Sequence, residues 1–338
     1  MGCNFPIIFD TYKGCTHCCR YCFTNFRAGG RHTGEGAKVT PFESAVSLER
    51  WCKGHRGPRE AWCDWEIPLG FGRNTDPFQP CEKVMHRALD ALKVFAKYGY
   101  PFLLTTKGVF PAFDKEYRAV LKDCNVCWHE SMCSPMYDKL EPGAPSFEKR
   151  LEAIHILSGI VPRVVVRSTP FFPELWESHI PHIRRIKEAG AYGILAETGQ
   201  LLRPKGMCNT RAGRLYDYAP NIKAKYLSLL KEECHKAGLK FFCCDYKDMG
   251  DSCYCCGTEG MSGFTPNYAN AAWYFFFPKK FGYTPKMKEK GTGEAFQNLY
   301  TGRKSFNVIR ESSFAELMDD FIRKTEKEVF GPAGAGRR

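Results

Sequence analysis

The stretch Gly14-Cys15-Thr16-His17-Cys18-Cys19-Arg20-Tyr21-Cys22 sets Cys15, Cys19 and Cys22 four and three residues apart. Thiols that close along the chain are close in space in any fold, and soft thiolates select zinc, copper(I) or iron–sulfur. With Cys18, the stretch also reads as a four-cysteine zinc site. Zinc ribbons and fingers, however, separate their ligand pairs by a dozen or more residues so that the chain wraps a tetrahedron. Here the pairs abut, with no loop to turn the second one back. Iron–sulfur clusters ordinarily take four cysteines. A three-cysteine loop therefore leaves one iron open to a ligand that is not protein. Zinc and plain buried thiols are the competing readings.

At 338 residues the chain has room for one large domain or two ordinary ones. No run approaches the roughly 18 apolar residues that cross a bilayer. Met1 to Pro6 lacks the basic-then-apolar layout of a secretory leader, and Pro6 spoils a myristoylation match. A cytoplasmic protein is expected, with no membrane partner. Eighteen cysteines in that compartment argue for metal over disulfides. The formal charge of +12 suits a polyanionic partner such as nucleic acid.

Phe5 to Phe9 reads as a first strand running into the cysteine loop. Thr40-Pro41-Phe42-Glu43 reads as a helix start, with a capping threonine, proline at the first helical position and Glu43 closing the box. Further strands are expected at Trp65–Phe71, Phe102–Leu104, Val126–Trp128, Val164–Val166, Gly193–Leu195 and Leu239–Phe242. Helical periodicity marks Glu82–Lys97, Phe147–Leu157, a segment before Gly190, and Ile222–Lys236. Strands alternating with helices at this spacing mean βαβ units and a parallel sheet. No GxGxxG follows the first strand, against a dinucleotide fold. Asp76, Lys107, Ser131, Arg167 and Glu197 fall at the C-terminal ends of strands, the face on which barrel-like α/β folds place their sites. The expectation is an α/β chain with a partial (β/α)6, TIM-like barrel over residues 1–238. A cysteine-rich, basic and aromatic extension over 239–330 and a disordered tail over 331–338 follow it.

The C-x3-C-x2-C spacing, followed by an aromatic run, resembles the signature of the radical S-adenosylmethionine (radical SAM) superfamily. Several stretches resemble its spore photoproduct lyase and DNA repair photolyase-like branch. They are Thr75-Asp76-Pro77-Phe78-Gln79-Pro80 with Glu82-Lys83, Thr105-Thr106-Lys107, Leu140-Glu141-Pro142-Gly143-Ala144-Pro145 with Arg150-Leu151-Glu152-Ala153, and Arg167-Ser168-Thr169-Pro170-Phe171-Phe172-Pro173. They lie in order over roughly residues 5 to 200. The resemblance implies a 4Fe–4S cluster on Cys15, Cys19 and Cys22, with S-adenosylmethionine chelated by the open iron. It implies Tyr21 beside the adenine, and Lys107, Ser131 and Arg167 lining the S-adenosylmethionine pocket. Thr75, Asp76 and Glu197 join them as candidate cofactor-binding residues. An electron donor such as flavodoxin or ferredoxin is implied too. The activity implied is lyase-type repair or modification of a nucleic-acid base or sugar. Lys107 and Arg167 pairing with mouth carboxylates, and Thr75-Asp76-Pro77 as a plain turn, are the competing readings. In the lyase proper a cysteine beside the Thr75-Asp76 equivalent donates hydrogen to the product radical; Asn74 occupies the matching position here, against repair of the spore thymine dimer.

A second cluster, Cys243-Cys244 with Cys253, Cys255 and Cys256, holds five cysteines in fourteen residues. Following the last strand, it is expected at the barrel mouth. Cys243, Cys244, Cys253 and Cys256 are candidate ligands of a second iron–sulfur cluster. Cys255 and Cys256 are candidate hydrogen-donor thiols. Structural zinc and buried thiols are the alternatives. Cys124, Cys127 and Cys133 straddle a strand whose side chains alternate faces, and read as core. From Lys279 to Lys304, lysines interleave with Phe281, Tyr283, Phe296 and Tyr300, a single-strand contact composition or simply a solvated face. Two further alternatives are radical modification of a peptide or small metabolite, and a non-enzymatic, zinc-stabilised nucleic-acid-binding protein.

Overall fold

The structure is a computed structural model that describes residues 7–22, 37–56, 68–199, 201–202, 215–216, 218–252, 254 and 256–264. Seven strands form one sheet in chain order: β1 (Ile8–Phe9), β4 (Leu69–Phe71), β5 (Phe102–Thr106), β6 (Val126–Ser131), β7 (Arg163–Phe171), β8 (Gly193–Thr198) and β11 (Lys240–Cys243). Every neighbouring pair is parallel. Between them run α1 (Ala45–Cys52), α2 (Glu82–Met85) with α3 (Arg87–Tyr98), α4 (Phe110–Phe113) with α5 (Lys115–Leu121), α6 (Phe147–Leu157), α7 (Trp176–Glu188) and α8 (Pro220–Lys236). Six βα units in sequence, closed by a seventh strand, make a partial TIM-like barrel. Two-residue strands β2 (Tyr12–Lys13) with β3 (Thr40–Pro41), and β9 (Leu201–Leu202) with β10 (Leu215–Tyr216), pair antiparallel. The sheet continues past residue 238, since β11 pairs with β8 along its whole length.

Strand alternation sorts the side chains into two layers. Phe102, Leu104, Val126, Trp128, Val164, Val166, Ile194, Phe241 and Cys243 face the helices in the main core. Leu103, Cys127, Val165, Leu195 and Phe242 point the other way into the lumen. They pack there with Cys256 and Phe264.

Two local readings differ from the structure. Thr40-Pro41 is a strand against Tyr12–Lys13; α1 starts at Ala45, capped reciprocally by Ser44 and Ser47. Glu43 instead accepts from the Asp10 amide. The expected Glu82–Lys97 helix is broken at His86, which adopts a left-handed φ of 50°. Val84 consequently lies exposed on the short α2.

Cys244 and Asp245 stay at the C-terminal ends of β8 and β11, but from Asp251 onward the segment runs to the opposite end of the barrel from the one expected. The Asp251 amide donates to the Phe241 carbonyl and the Asp251 carboxylate accepts from the Phe241 amide, which covers the free edge of β11. Arg163, the first residue of β7, donates to the carbonyls of Gly257 and Glu259. Asn125, just before β6, donates to the Ser262 carbonyl, and Tyr192, just before β8, donates to Glu259. All these partners sit at the N-terminal ends of strands, so 256–264 forms the floor of the lumen rather than part of its mouth. Residues 265–338, with the Lys279–Lys304 stretch and the tail, lie outside the described residues.

Candidate active site at the barrel mouth

The cysteine loop leaves the C-terminal end of β1 and is fastened from three sides. Gly14, at φ 92°, lets the chain turn where a Cβ would meet the Lys38 carbonyl at 2.5 Å. From the loop after β4, the fully buried Gln79 donates to the Gly14 carbonyl at 3.0 Å and accepts from the Thr16 amide at 3.1 Å. On the third side, Gly143 donates to the His17 carbonyl, and its own carbonyl meets His17 Nδ1 at 3.0 Å. A Cβ on Gly143 would collide with the carbonyl of Thr16. The resembling segments around Gln79 and Gly143 are thus the cradle of the cysteine loop.

Thr75 and Asp76 brace that cradle. Thr75 donates to the Tyr12 carbonyl. One Asp76 oxygen accepts from the Phe78 amide and Thr106 hydroxyl; the other accepts from the Lys107 amide at 2.6 Å and faces His17 Nε2 at 3.2 Å. Burial alone would raise the Asp76 carboxyl, but His17 and these donors outweigh it and lower it to about 2. Asn74 donates to Asp10 through its side-chain amide.

Beyond the loop, Lys107 Nζ donates to Ser131 Oγ at 2.7 Å and stands 3.7 Å from Glu141 and 5.7 Å from the Tyr21 ring centroid. The Tyr21 hydroxyl donates to Glu141, and Arg150 pairs with Glu141 while donating to the Ser131 carbonyl. Tyr21 packs edge-on to Phe172. Burial and the Glu141 charge push the Tyr21 hydroxyl far up, so it stays a neutral donor. Burial works against the Lys107 ammonium, but Glu141 and Cys19 outweigh it and raise it. Tyr21, Lys107, Ser131 and Cys19 are therefore together. Arg167, opposite Ser131 in the sheet, pairs with Glu197 at 3.0 Å. Sequence reasoning assigned no role to His17, Gln79, Glu141 or Arg150. All four stand inside the quoted motifs, but their contacts span up to 126 residues of chain.

The donor set fits a cluster with an open iron. Cys15, Cys19 and Cys22 form no disulfide and are partly exposed, and Cys15 and Cys19 each feel the charge of Cys22. Burial, then Asp76, pushes the Cys15 thiol up to about 12; burial likewise raises Cys19, which Lys107 partly offsets. Metal binding releases these protons. Cys18, at φ 55°, turns its thiol onto the Thr16 carbonyl. Among the described residues, no three His, Cys, Asp or Glu side chains gather as around a single metal ion.

No family model matches the sequence. Uncharacterized proteins from Mycobacterium bovis and two strains of Mycobacterium tuberculosis are 27% identical over 253 residues, 68% of this chain and 72% of theirs. Among solved structures, a mutant of spore photoproduct lyase superposes with a TM-score of 0.53 and 13% identity, over 69% of this chain and 74% of that one. The chain shares the fold of that lyase, a partial TIM-like barrel. In that fold the mouth residues occupy the C-terminal ends of the strands; Cys243 and Cys244 also stand at the end of β11, whereas Cys256 does not. Cys243 faces the helices, Cys244 faces the lumen, and Cys256 lies in the floor with its carbonyl 2.9 Å from His129 Nε2. These three are not brought together; Cys253 and Cys255 lie outside the described residues. Among the described residues, no helix is long and apolar enough to cross a membrane.

Proposed function

We propose that this chain is a radical SAM enzyme acting on a base or sugar of nucleic acid, in repair or modification. Cys15, Cys19 and Cys22 would hold one 4Fe–4S cluster, with S-adenosylmethionine at its open iron. When bound, this pair would supply one-electron reductive cleavage of the sulfonium, and with it the 5′-deoxyadenosyl hydrogen-abstracting chemistry that the reading requires. The observation that carries the reading is the fastening of the cysteine loop by Gln79, Gly143 and the His17–Asp76 pair, beside a buried set of neutral and charged donors.

Lys107 and Ser131 offer an ammonium and a hydroxyl to a carboxylate, a charge-assisted arrangement. Tyr21, held by Glu141 and Phe172, offers an aromatic wall to a flat ring. Against the burial that would raise its carboxyl, Lys107 and Arg150 keep Glu141 ionised inside the protein, where an unpaired carboxylate would take up a proton. An external electron carrier and a polyanionic substrate are the expected partners, the latter supported by the charge of +12. Asn74, engaged with Asp10, offers no thiol at the hydrogen-donor position, so the spore thymine dimer is not the proposed substrate.

The test is anaerobic reconstitution followed by detection of 5′-deoxyadenosine and methionine after chemical reduction. Both products should appear with the wild type and vanish with Cys19→Ala. A reconstituted, iron-loaded wild type that leaves S-adenosylmethionine intact would sink the proposal.

A further inference from the structure

Below the mouth, the lumen wall carries three buried polar atoms without a hydrogen-bond partner: Thr105 Oγ1, His129 Nδ1 and Arg167 Nη1. They stand on three consecutive strands, β5, β6 and β7. Thr105 lies opposite His129, and Arg167 lies one inward position beyond Val165, the residue opposite His129. Inward alternation puts all three on the lumen face, above the apolar pair Leu103 and Cys127. Arg167 stands nearest the mouth and is 9% exposed; His129 is completely buried. Buried polar groups in folded proteins are nearly always paired, so a row of three calls for a ligand or water.

The chemistry of the row is defined. His129 Nε2 faces the Cys256 carbonyl, which can only accept, so Nε2 carries the hydrogen and Nδ1 is an acceptor. Burial and the nearby Arg167 and Arg73 keep the ring neutral. Arg167 Nη1 is a donor only, while its Nη2 is committed to Glu197. The Thr105 hydroxyl plays either part. Across the strands the order is donor, acceptor, then hydroxyl. With strands about 4.8 Å apart, the three positions spread over about 10 Å. A water or single hydroxyl reaches about 3 Å to each partner and meets two of them at most. A planar ring edge with a carbonyl beside an N–H meets the row: carbonyl to Arg167, N–H to His129, and a neighbouring group to Thr105.

We propose that Arg167, His129 and Thr105 read the cyclic amide edge of the substrate, with His129 Nδ1 as the specificity-determining acceptor. This rests on the enzyme reading above and narrows its substrate to a base bearing a ring N–H beside a carbonyl. A base whose ring nitrogen is an acceptor at that point sets lone pair against lone pair on His129 and is rejected. The floor segment takes part, because the Cys256 carbonyl fixes the tautomer that leaves Nδ1 open.

Binding tests this without turnover. Equilibrium dialysis of the anaerobically reconstituted chain, with S-adenosylmethionine present, compares a uridine trinucleotide with its N3-methyluridine counterpart. Wild type should bind the methylated probe at least about tenfold more weakly. In His129→Phe the two probes should bind within about twofold of each other. His129→Asn, which returns an amide oxygen acceptor near the Nδ1 position, should restore part of the difference. Thermal unfolding of each variant guards against loss of fold, and Thr105→Val gives a second, milder probe that should weaken the unmethylated ligand. Equal binding of both probes by wild type, no binding of either, or a difference that persists in His129→Phe would each overturn the proposal; the latter two leave water as the only occupant of the row. Cleavage of S-adenosylmethionine in the same preparation, without oligonucleotide, reports separately on the enzyme reading.

Discussion

The two cysteine-rich segments look alike in composition and differ in every structural respect. In Cys15–Cys22 the chain turns sharply at Gly14, and three thiols stay on one loop clamped by Gln79 and Gly143. In Cys243–Cys256 the first two cysteines straddle the end of a strand. Adjacent strand residues point to opposite faces, so Cys243 enters the helix-side core and Cys244 the lumen. The chain then descends along the edge of β11 and returns Cys256 to the floor. Density of cysteine along a sequence is no measure of convergence in space; the backbone between the thiols decides it.

The sharpest way to break this contrast is to mutate one thiol from each segment. Cys19→Ala should lose the iron and all S-adenosylmethionine cleavage while keeping the metal-free fold, because the loop is held by backbone and Gln79 contacts rather than by thiols. Cys256→Ala should keep the iron and cost about 1 kcal/mol, the scale of a small core deletion. Iron content and thermal unfolding report both; loss of iron in Cys256→Ala would place that residue at a cluster after all.

Next in size is the buried pair behind the mouth. Glu141→Gln leaves Arg150 and Lys107 buried without their carboxylate, a loss of about 3 kcal/mol or more. Denaturant unfolding of the metal-free chain measures it, and a change under 1 kcal/mol would mean that the network contributes little.

Gly143→Ala addresses the cradle alone. Its Cβ would meet the His17 backbone at 2.8 Å, so the cysteine loop must shift. Iron retention should fall by at least half after gel filtration, with a destabilisation of about 1–3 kcal/mol typical of overpacking. Full retention would show that the loop tolerates a different seat.

The smallest effect concerns pH. Glu130 is buried on the helix side of β6, and burial pushes its carboxyl up to about 8 although Trp128 donates to it. Its folded-state value lies above the ordinary value of about 4.3. The associated stability is therefore complete below about pH 4 and drains away as pH rises through 8. Glu130→Gln should flatten that loss, seen as a smaller drop in melting temperature between pH 6 and pH 9 than in wild type.

Much of the architecture was legible because it is local. Six βα units follow from alternating runs, and Phe147–Leu157 matches its helix to the residue. What failed depended on distant partners or on backbone freedom. Thr40-Pro41-Phe42-Glu43 satisfies a capping pattern, yet β2, some 28 residues away, claims it for a sheet. His86 breaks a helix in a conformation that its side chain does not advertise. The grouping of Cys15, Cys19 and Cys22 on one loop was readable from spacing, whereas Gln79, Glu141 and Arg150 act across 60 or more residues or through buried charge. The floor could not be read at all, since nothing near Cys256 announces that it meets Arg163 and Asn125 at the far end of the strands.

The central claim is that one segment builds a cluster and the other builds the floor. Iron, sulfide and zinc per chain, on anaerobically purified wild type and the Cys15/Cys19/Cys22→Ala triple variant, test it most directly. The account predicts about four irons and four sulfides in wild type, none in the variant, and no zinc in either. About four irons surviving in the variant would contradict it by showing a second cluster, and zinc without iron would remove the enzyme reading altogether.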